Sequence, residues 1–358
     1  MATEFTERLD TTLTPPPREP EIPAEAIAQE STPGTLGSKL LKPQTLISFA
    51  FALAIMVFFF RRLDISLSEV RRDVSAANPW YFLAAIAIYY AAMVLRGVRW
   101  GWMLQAADVA ENDGVAMPKR RVLTEILMLS WFVNCLLPAR LGDAYRGYVL
   151  KRETKISFSA SLGTVVAERI VDLFVLVAML VTAGLVTFHG NSTPGQADQA
   201  YLAAGILVAV GVVALAALWF GRHIIERKIP DRWREQFVRM HDAIFACLRK
   251  PWRYISISAV IWIMDGVRML LVARSLGVEI SFATATFVAL MSSLLTTLPI
   301  TPAGLGVVET AMIVVLKWVH VTPSLATSVA LMDRLITYWS LIVVGLILYI
   351  RRFRNEVR

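Results

Sequence analysis

Cysteine and histidine are nearly missing from this chain of 358 residues. Cys135 lies in an apolar run and Cys247 in a basic stretch, while His189, His223, His241 and His320 are scattered without metal-ligand spacing. A disulfide framework and a zinc knuckle are excluded, and a redox or metal-centred enzyme is not expected; no cofactor is called for. No Gly-x-x-x-x-Gly-Lys-Ser/Thr loop occurs, so energy from ATP through a phosphate-binding loop is not expected either. The basic start and apolar stretch of a cleavable signal are absent from the N-terminus. Charge is scarce too: 18% of residues are charged against 56% hydrophobic, which does not describe a water-soluble core.

What is abundant is apolar length. A run of about 18 or more apolar residues can cross the hydrocarbon layer. Such runs lie near 44–60, 79–104, 157–188, 200–220, 254–276 and 323–350, with two further runs at 122–137 and 284–319. They predict an all-α, polytopic membrane bundle over 39–358. Residues 1–38, with Pro15-Pro16-Pro17, Pro20, Pro23 and Pro33, read as a polar, disordered cytoplasmic tail.

The net charge of +8 fits a membrane protein better than a nucleic-acid binder, because Lys and Arg collect on the cytoplasmic side and attract anionic phospholipid headgroups. The 189–199 loop carries no Lys or Arg, whereas 221–253 carries nine, so the first is expected outside and the second in the cytoplasm. Counting outward places both termini in the cytoplasm and 61–78 outside, despite Arg61, Arg62, Arg71 and Arg72. Within 221–253, Trp233, Phe237, Met240, Ile244 and Leu248 recur at helical spacing, with Asp231 as cap and Pro251 as stop. This predicts an amphipathic helix on the inner headgroup layer, or else a small soluble connector.

The chain also matches itself. Arg96-Gly97-Val98-Arg99 corresponds to Asp265-Gly266-Val267-Arg268, Pro138-Ala139-Arg140-Leu141-Gly142 to Pro302-Ala303-Gly304-Leu305-Gly306, and Glu168-Arg169-Ile170 to Asp333-Arg334-Leu335. Conserved order and near-constant spacing mark an internal repeat, with halves at about 79–188 and 254–350. Three predicted crossings separate Arg99 from Arg268, so the second half should be inverted. The segments around Pro138, Gly142, Pro302, Gly304 and Gly306 are expected to turn as re-entrant hairpins entered from opposite faces, since Pro and Gly disfavour a continuous helix and 139–153 is too polar for lipid.

Charges inside these runs demand partners, because an unpaired one at the bilayer centre costs roughly 2.5–3.5 kcal/mol. Glu168 and Asp172 are four apart on one helix face, and Asp265 and Arg268 three apart. Such pairs can hold a cation, relay protons or clamp an arginine of the other half; the alternative is a purely structural fastening of helices. Arg140, Asp143 and Arg146 form a charged cluster at a cytoplasmic hairpin suited to a lipid phosphate; the alternative is plain retention of basic residues on the inner side. Arg96 and Arg99, near the inner end of their run, are expected to snorkel.

These motifs resemble the flippase-like transmembrane region of bacterial lysylphosphatidylglycerol synthases and their shorter relatives. The resemblance covers about 40–350 and rests on Asn134-x-x-x-Pro138-Ala-Arg140-x-Gly142-Asp143-x-x-Arg146, Glu168-Arg169-x-x-Asp172 and Pro302-Ala-Gly304-Leu-Gly306-x-x-Glu309. The family usually has Glu at the position of Asp143 and Gly at those of Ala139 and Ala303; Asp keeps the carboxylate, while Ala makes the turns less permissive. The resemblance implies movement of an anionic or glycosylated lipid between leaflets of the cytoplasmic (inner) membrane. Arg140, Arg146 and Arg169 would meet its phosphate, and Asn134 and Arg334 would complete the site. Glu168, Asp172, Asp143 and Glu309 would orient the arginines or carry a coupling proton. Aminoacyl transfer is not implied, as only eight residues follow the last predicted run. The rival expectations are a membrane-embedded transferase acting on a phospholipid or polyprenyl-linked sugar, with Asp143 or Glu168 as base, and a non-catalytic partner of such a lipid-modifying enzyme.

Overall fold

The computed structural model describes residues 67–137, 140–188, 230–297 and 301–354. The predicted runs at 44–60 and 200–220, the 1–38 tail, the 189–199 loop and Pro138 lie outside the described residues. Those residues fold into helices α1 (Leu67–Ser75), α2 (Pro79–Ala106), α3 (Val109–Asn112), α4 (Arg120–Leu136), α5 (Leu141–Thr154), α6 (Phe158–Phe188), α7 (Asp231–Leu248), α8 (Trp252–Ser275), α9 (Phe282–Leu295), α10 (Val307–Trp318), α11 (Pro323–Arg334) and α12 (Leu341–Arg354). A π-helical stretch, Leu335–Ser340, joins the last two into one rod. Among the described residues four helices are long and apolar enough to cross a membrane: α2, α6, α8 and the rod Pro323–Arg352. They match four of the six long apolar runs.

Local chemistry sets the ends. Asn78 caps α2 by accepting from the Trp80 N–H at 3.0 Å, with Pro79 at the first helical position. Ser281 caps α9 by accepting from the Thr284 N–H at 3.0 Å.

α2 and α8, which carry the first matched motif of each half, pack antiparallel. The Tyr254 hydroxyl donates to the Trp102 carbonyl at 3.4 Å at one end, and the Asn78 N–H to the Ser275 carbonyl at 2.7 Å at the other. The glycine of each motif lets the next helix in: a Cβ on Gly97 would collide with Thr124 of α4, and one on Gly266 with Thr286 of α9. The second members of the pairs α4–α5 and α9–α10 reach different ends of α6. α5 returns beside the start of α6, where Phe158 lies 3.2 Å from a Cβ placed on Gly147, and Glu153 pairs with Arg352 near the end of α12. α10 instead returns to the far end of α6, where Trp318 and Phe287 both stack on Phe188.

Two expectations about segments outside the spans are corrected. α7 forms as anticipated, but Pro230 rather than Asp231 holds the cap position. Its apolar side is not left for headgroups: Ala243, Ile244 and Cys247 are buried, Gly163 of α6 sits against the Met240 carbonyl, and the Cys247 thiol donates to the Met103 carbonyl at 3.4 Å. An amphipathic pattern reports one apolar face, not whether lipid or protein covers it. Burial pushes the Cys247 thiol up to about 12, so no reactive thiolate arises there. Part of 61–78, expected as a loop, is helix α1, whose Asp73 accepts from Ser324 and Ser328 of α11 at 3.1 and 3.3 Å.

Candidate functional site

Each half carries the same ion-pair circuit. In the first, Arg99 of α2 donates to Glu168 at 2.9 Å and to both oxygens of Asp172 at 2.5 and 2.8 Å, all three on or facing α6. In the second, Arg268 of α8 pairs with Asp333 of α11. The next arginine of each matched motif holds the helix that follows the turn: Arg169 grips Asp143 in the first turn of α5 at 3.0 and 2.8 Å, and Arg334 pairs with Glu309 in the first turn of α10 at 2.7 Å. Between the halves, Arg96 pairs with Asp265 at 2.7 Å. These two occupy equivalent places in the first matched motif, so opposite charges meet where α2 packs on α8.

Arg96 and Arg99 therefore do not snorkel. They are 5% and 1% exposed, because carboxylates from α6 and α8 offer a better partner than a distant headgroup layer. Glu168 and Asp172 do clamp an arginine, but one of their own half. Arg99 also donates to the Ser258 hydroxyl of α8 at 2.5 Å.

The turns use the predicted residues in unequal ways. Asn134 accepts from the Gly142 N–H at 2.8 Å, closing α4 onto α5, and a Cβ on Gly142 would strike the Ser130 carbonyl. Arg140 adopts a left-handed conformation, φ 53°, at the place matched by Gly304, φ 69°. In the second turn the Glu309 carboxylate accepts from the Gly306 N–H at 2.6 Å, and Arg334 donates to the Ala303 carbonyl at 3.3 Å. Pro302 opens the single 3-10 turn there.

Where the halves meet is a cavity of about 490 Å³. Of the residues anticipated for the site, Asn134, Arg140, Asp143, Glu168, Arg169, Asp172 and Arg334 line it. Arg146 and Glu309 are not part of its wall. Arg146 sits behind, donating to Glu168 at 3.0 Å with its guanidinium 4.6 Å from the Trp100 ring, and Glu309 stands behind Arg334. Asp265, Arg268 and Asp333, expected from the sequence only as deep charges in need of partners, and Arg96, expected to snorkel, line the same cavity, as do Trp131 and Trp262 flanking Arg96 at 5.4 and 5.7 Å. The opposite charges of Arg96 and Asp265 at matched positions were the available signal. Leu173, Leu176 and Leu294 supply an apolar side.

The chain belongs to the lysylphosphatidylglycerol synthase transmembrane-region family. The family model matches residues 45–345. A UPF0104 membrane protein of Methanocaldococcus jannaschii is 33% identical over 236 residues, which cover 63% of this chain and 97% of that protein. One from Methanothermobacter thermautotrophicus is 24% identical over 325 residues, 82% of this chain and 90% of its own length. Glycosyltransferase AglD of Haloferax volcanii is 28% identical over 338 residues, 84% of this chain but 53% of AglD.

In this family member one cavity cation stands apart. Every other arginine of the two circuits has a carboxylate partner, whereas Arg140, partly buried, has neither an ion pair nor a hydrogen bond among the described residues. Asp143 and Asp172 lie near it but are committed to Arg169 and Arg99. Among the described residues no three His, Cys, Asp or Glu side chains converge as metal ligands. The arrangement is suited to receiving an anion rather than a cation.

Proposed function

We propose that this protein moves a lipid with an anionic or glycosylated headgroup between the leaflets of the cytoplasmic membrane. The observation that carries the reading is the unpaired Arg140 guanidinium in a charged cavity where the two halves meet. Arg140 takes the headgroup phosphate, and Arg169 and Arg334 adjoin it, each steadied by its own carboxylate. Leu173, Leu176 and Leu294 leave an apolar side along which acyl or prenyl tails remain in lipid.

The antiparallel packing of α2 against α8, and helix pairs whose second members reach different ends of α6, support an inverted repeat with re-entrant hairpins, the architecture in which one half rocks against the other around a central site. Exposed Trp80 and Trp318 at one end of the bundle and Trp252 at the other suit two headgroup boundaries. With the basic 221–253 segment inside, both termini are cytoplasmic. Its arginines and lysines attract anionic headgroups and offer a place for a lipid-modifying enzyme to dock.

The test is reconstitution in liposomes with a lipid whose headgroup fluorophore can be quenched from outside. The inner-leaflet pool should lose its protection when the protein is present, and Arg140→Ala should restore it while the variant still unfolds cooperatively. Chemical conversion of the lipid without translocation would sink the reading.

A second reading draws on the likeness to a glycosyltransferase: a membrane-embedded transferase for phospholipid or polyprenyl-linked sugar, or a non-catalytic partner of one. The geometry weighs against the catalytic version. Asp143 has both oxygens on Arg169, and Glu168 has one on Arg99 and one on Arg146, which leaves each a poor general base.

A further inference from the structure

The two circuits together hold seven arginines and six carboxylates: each of Arg96, Arg99, Arg146, Arg169, Arg268 and Arg334 has an acidic partner. Arg140 is the seventh. In a site walled by protein within hydrocarbon, neither a surplus nor a deficit of charge is well solvated, so a ligand is favoured to the degree that it brings the sum to zero. A headgroup with one negative charge does so. A zwitterion leaves the surplus in place, and a diphosphate replaces it with a deficit.

We infer that the Arg140 site is built for a singly charged phosphodiester headgroup, and that it selects against both zwitterionic lipids and lipid diphosphates. This rests on the translocation reading, and narrows it to one substrate class. Arg140 supplies the charge that the phosphodiester neutralises, while Asp143 and Asp172 beside it, already committed to Arg169 and Arg99, penalise a second negative charge. Two donors, Arg96 Nη1 and Trp262 Nε1, are buried without an acceptor on the same cavity. Since Asp265 already balances the charge of Arg96, what these two lack is a neutral oxygen, such as a hydroxyl of the headgroup, and not a second phosphate.

The experiment is competition binding to the full-length protein in detergent, with four probes: short-chain phosphatidylglycerol, short-chain phosphatidylcholine, farnesyl diphosphate and glycerophosphoglycerol, the soluble phosphodiester headgroup without tails. Phosphatidylglycerol should bind at least about tenfold more tightly than phosphatidylcholine and farnesyl diphosphate. Arg140→Gln, which removes the surplus, should bring phosphatidylglycerol down to the level of phosphatidylcholine. Asp143→Asn, which raises the surplus by one, should shift the preference toward farnesyl diphosphate. If phosphatidylcholine or the diphosphate matches phosphatidylglycerol in the parent protein, the charge-matching inference is overturned while the translocation assay stands. If glycerophosphoglycerol competes as well as the lipid, the source is a soluble phosphodiester and the lipid reading itself falls. Should Asp143→Asn fail to fold, the Arg140→Gln comparison alone still decides, because Arg140 has no partner to strand.

Discussion

The two halves share one clamp and differ in what surrounds it. Arg99 with Glu168 and Arg268 with Asp333 are the same device, as are Arg169 with Asp143 and Arg334 with Glu309. Yet the first half adds charge where the second has none. At the spacing of the repeat, Asp172 corresponds to Thr337, Arg146 to Thr310 and Arg140 to Gly304. The second half adds a π-helical stretch after Asp333-Arg334, where α6 runs on as an uninterrupted helix. π-Turns inside helices recur at functional sites because they re-aim side chains and weaken the ladder. On the translocation reading proposed above, ligand chemistry falls to the first half and compliance to the second.

The largest effects should come from the shared clamp and should be equal in both halves. Arg99→Ala removes the ion-pair partner of Asp172 while Glu168 keeps Arg146; Arg268→Ala removes that of Asp333, which keeps the Thr337 hydroxyl at 3.4 Å, while Asp265 keeps Arg96. Stranding one buried carboxylate costs about 3–5 kcal/mol. Thermal unfolding in detergent should show both variants falling together. A much larger fall for one would break the equivalence of the halves.

Arg146→Met comes next and has no counterpart. It removes one arginine from Glu168, which keeps Arg99, and the methionine keeps an apolar contact with Trp100. A charged hydrogen bond of this kind is worth about 1.5–3 kcal/mol. Thr310→Val, at the corresponding place, should shift the same unfolding midpoint far less; equal shifts would remove the asymmetry.

The turns should respond by different mechanisms. Gly142→Ala drives a Cβ into the Ser130 carbonyl, backbone against backbone, and should cost about 1–3 kcal/mol by forcing α4 and α5 apart. Gly304→Ala meets the Val308 Cγ2 at 2.7 Å, a side chain that can turn away, and its cost of about 1–2 kcal/mol is instead the left-handed backbone at φ 69°. Hydrogen exchange separates them: faster exchange should spread along α4 and α5 in the first variant and stay within 301–306 in the second.

Most of this fold was legible because apolar length and charge spacing are one-dimensional. The four long helices follow from runs that no soluble helix needs, and the ion-paired arginines of both matched stretches stood in three short motifs. What the motifs hid was rotation about each helix axis. In a uniformly apolar helix such as α2 the pattern does not say which side meets protein, so Arg99 looked like a residue reaching outward when its partners lie 69 and 73 positions away. α7 failed in the opposite sense: its one-sided pattern was plain, but not what covers it. Asn134 and Gly142 were legible as a motif, and only the turn showed that one accepts from the backbone of the other.

The smallest expected change in stability carries the largest in activity. Arg140→Gly places in the first turn the residue that the second turn already has. Glycine relieves the left-handed strain at φ 53° and loses more entropy on folding, so stability should stay within about 1 kcal/mol of the parent. No carboxylate is stranded, because none is paired with Arg140 among the described residues. If the first half holds the ligand, lipid translocation should drop to the protein-free rate in a variant whose unfolding is unchanged. Retained translocation would mean that the turn's charge is incidental and that the paired arginines suffice. The comparison between halves would then reduce to one of stability, with the ligand held by the part that both share.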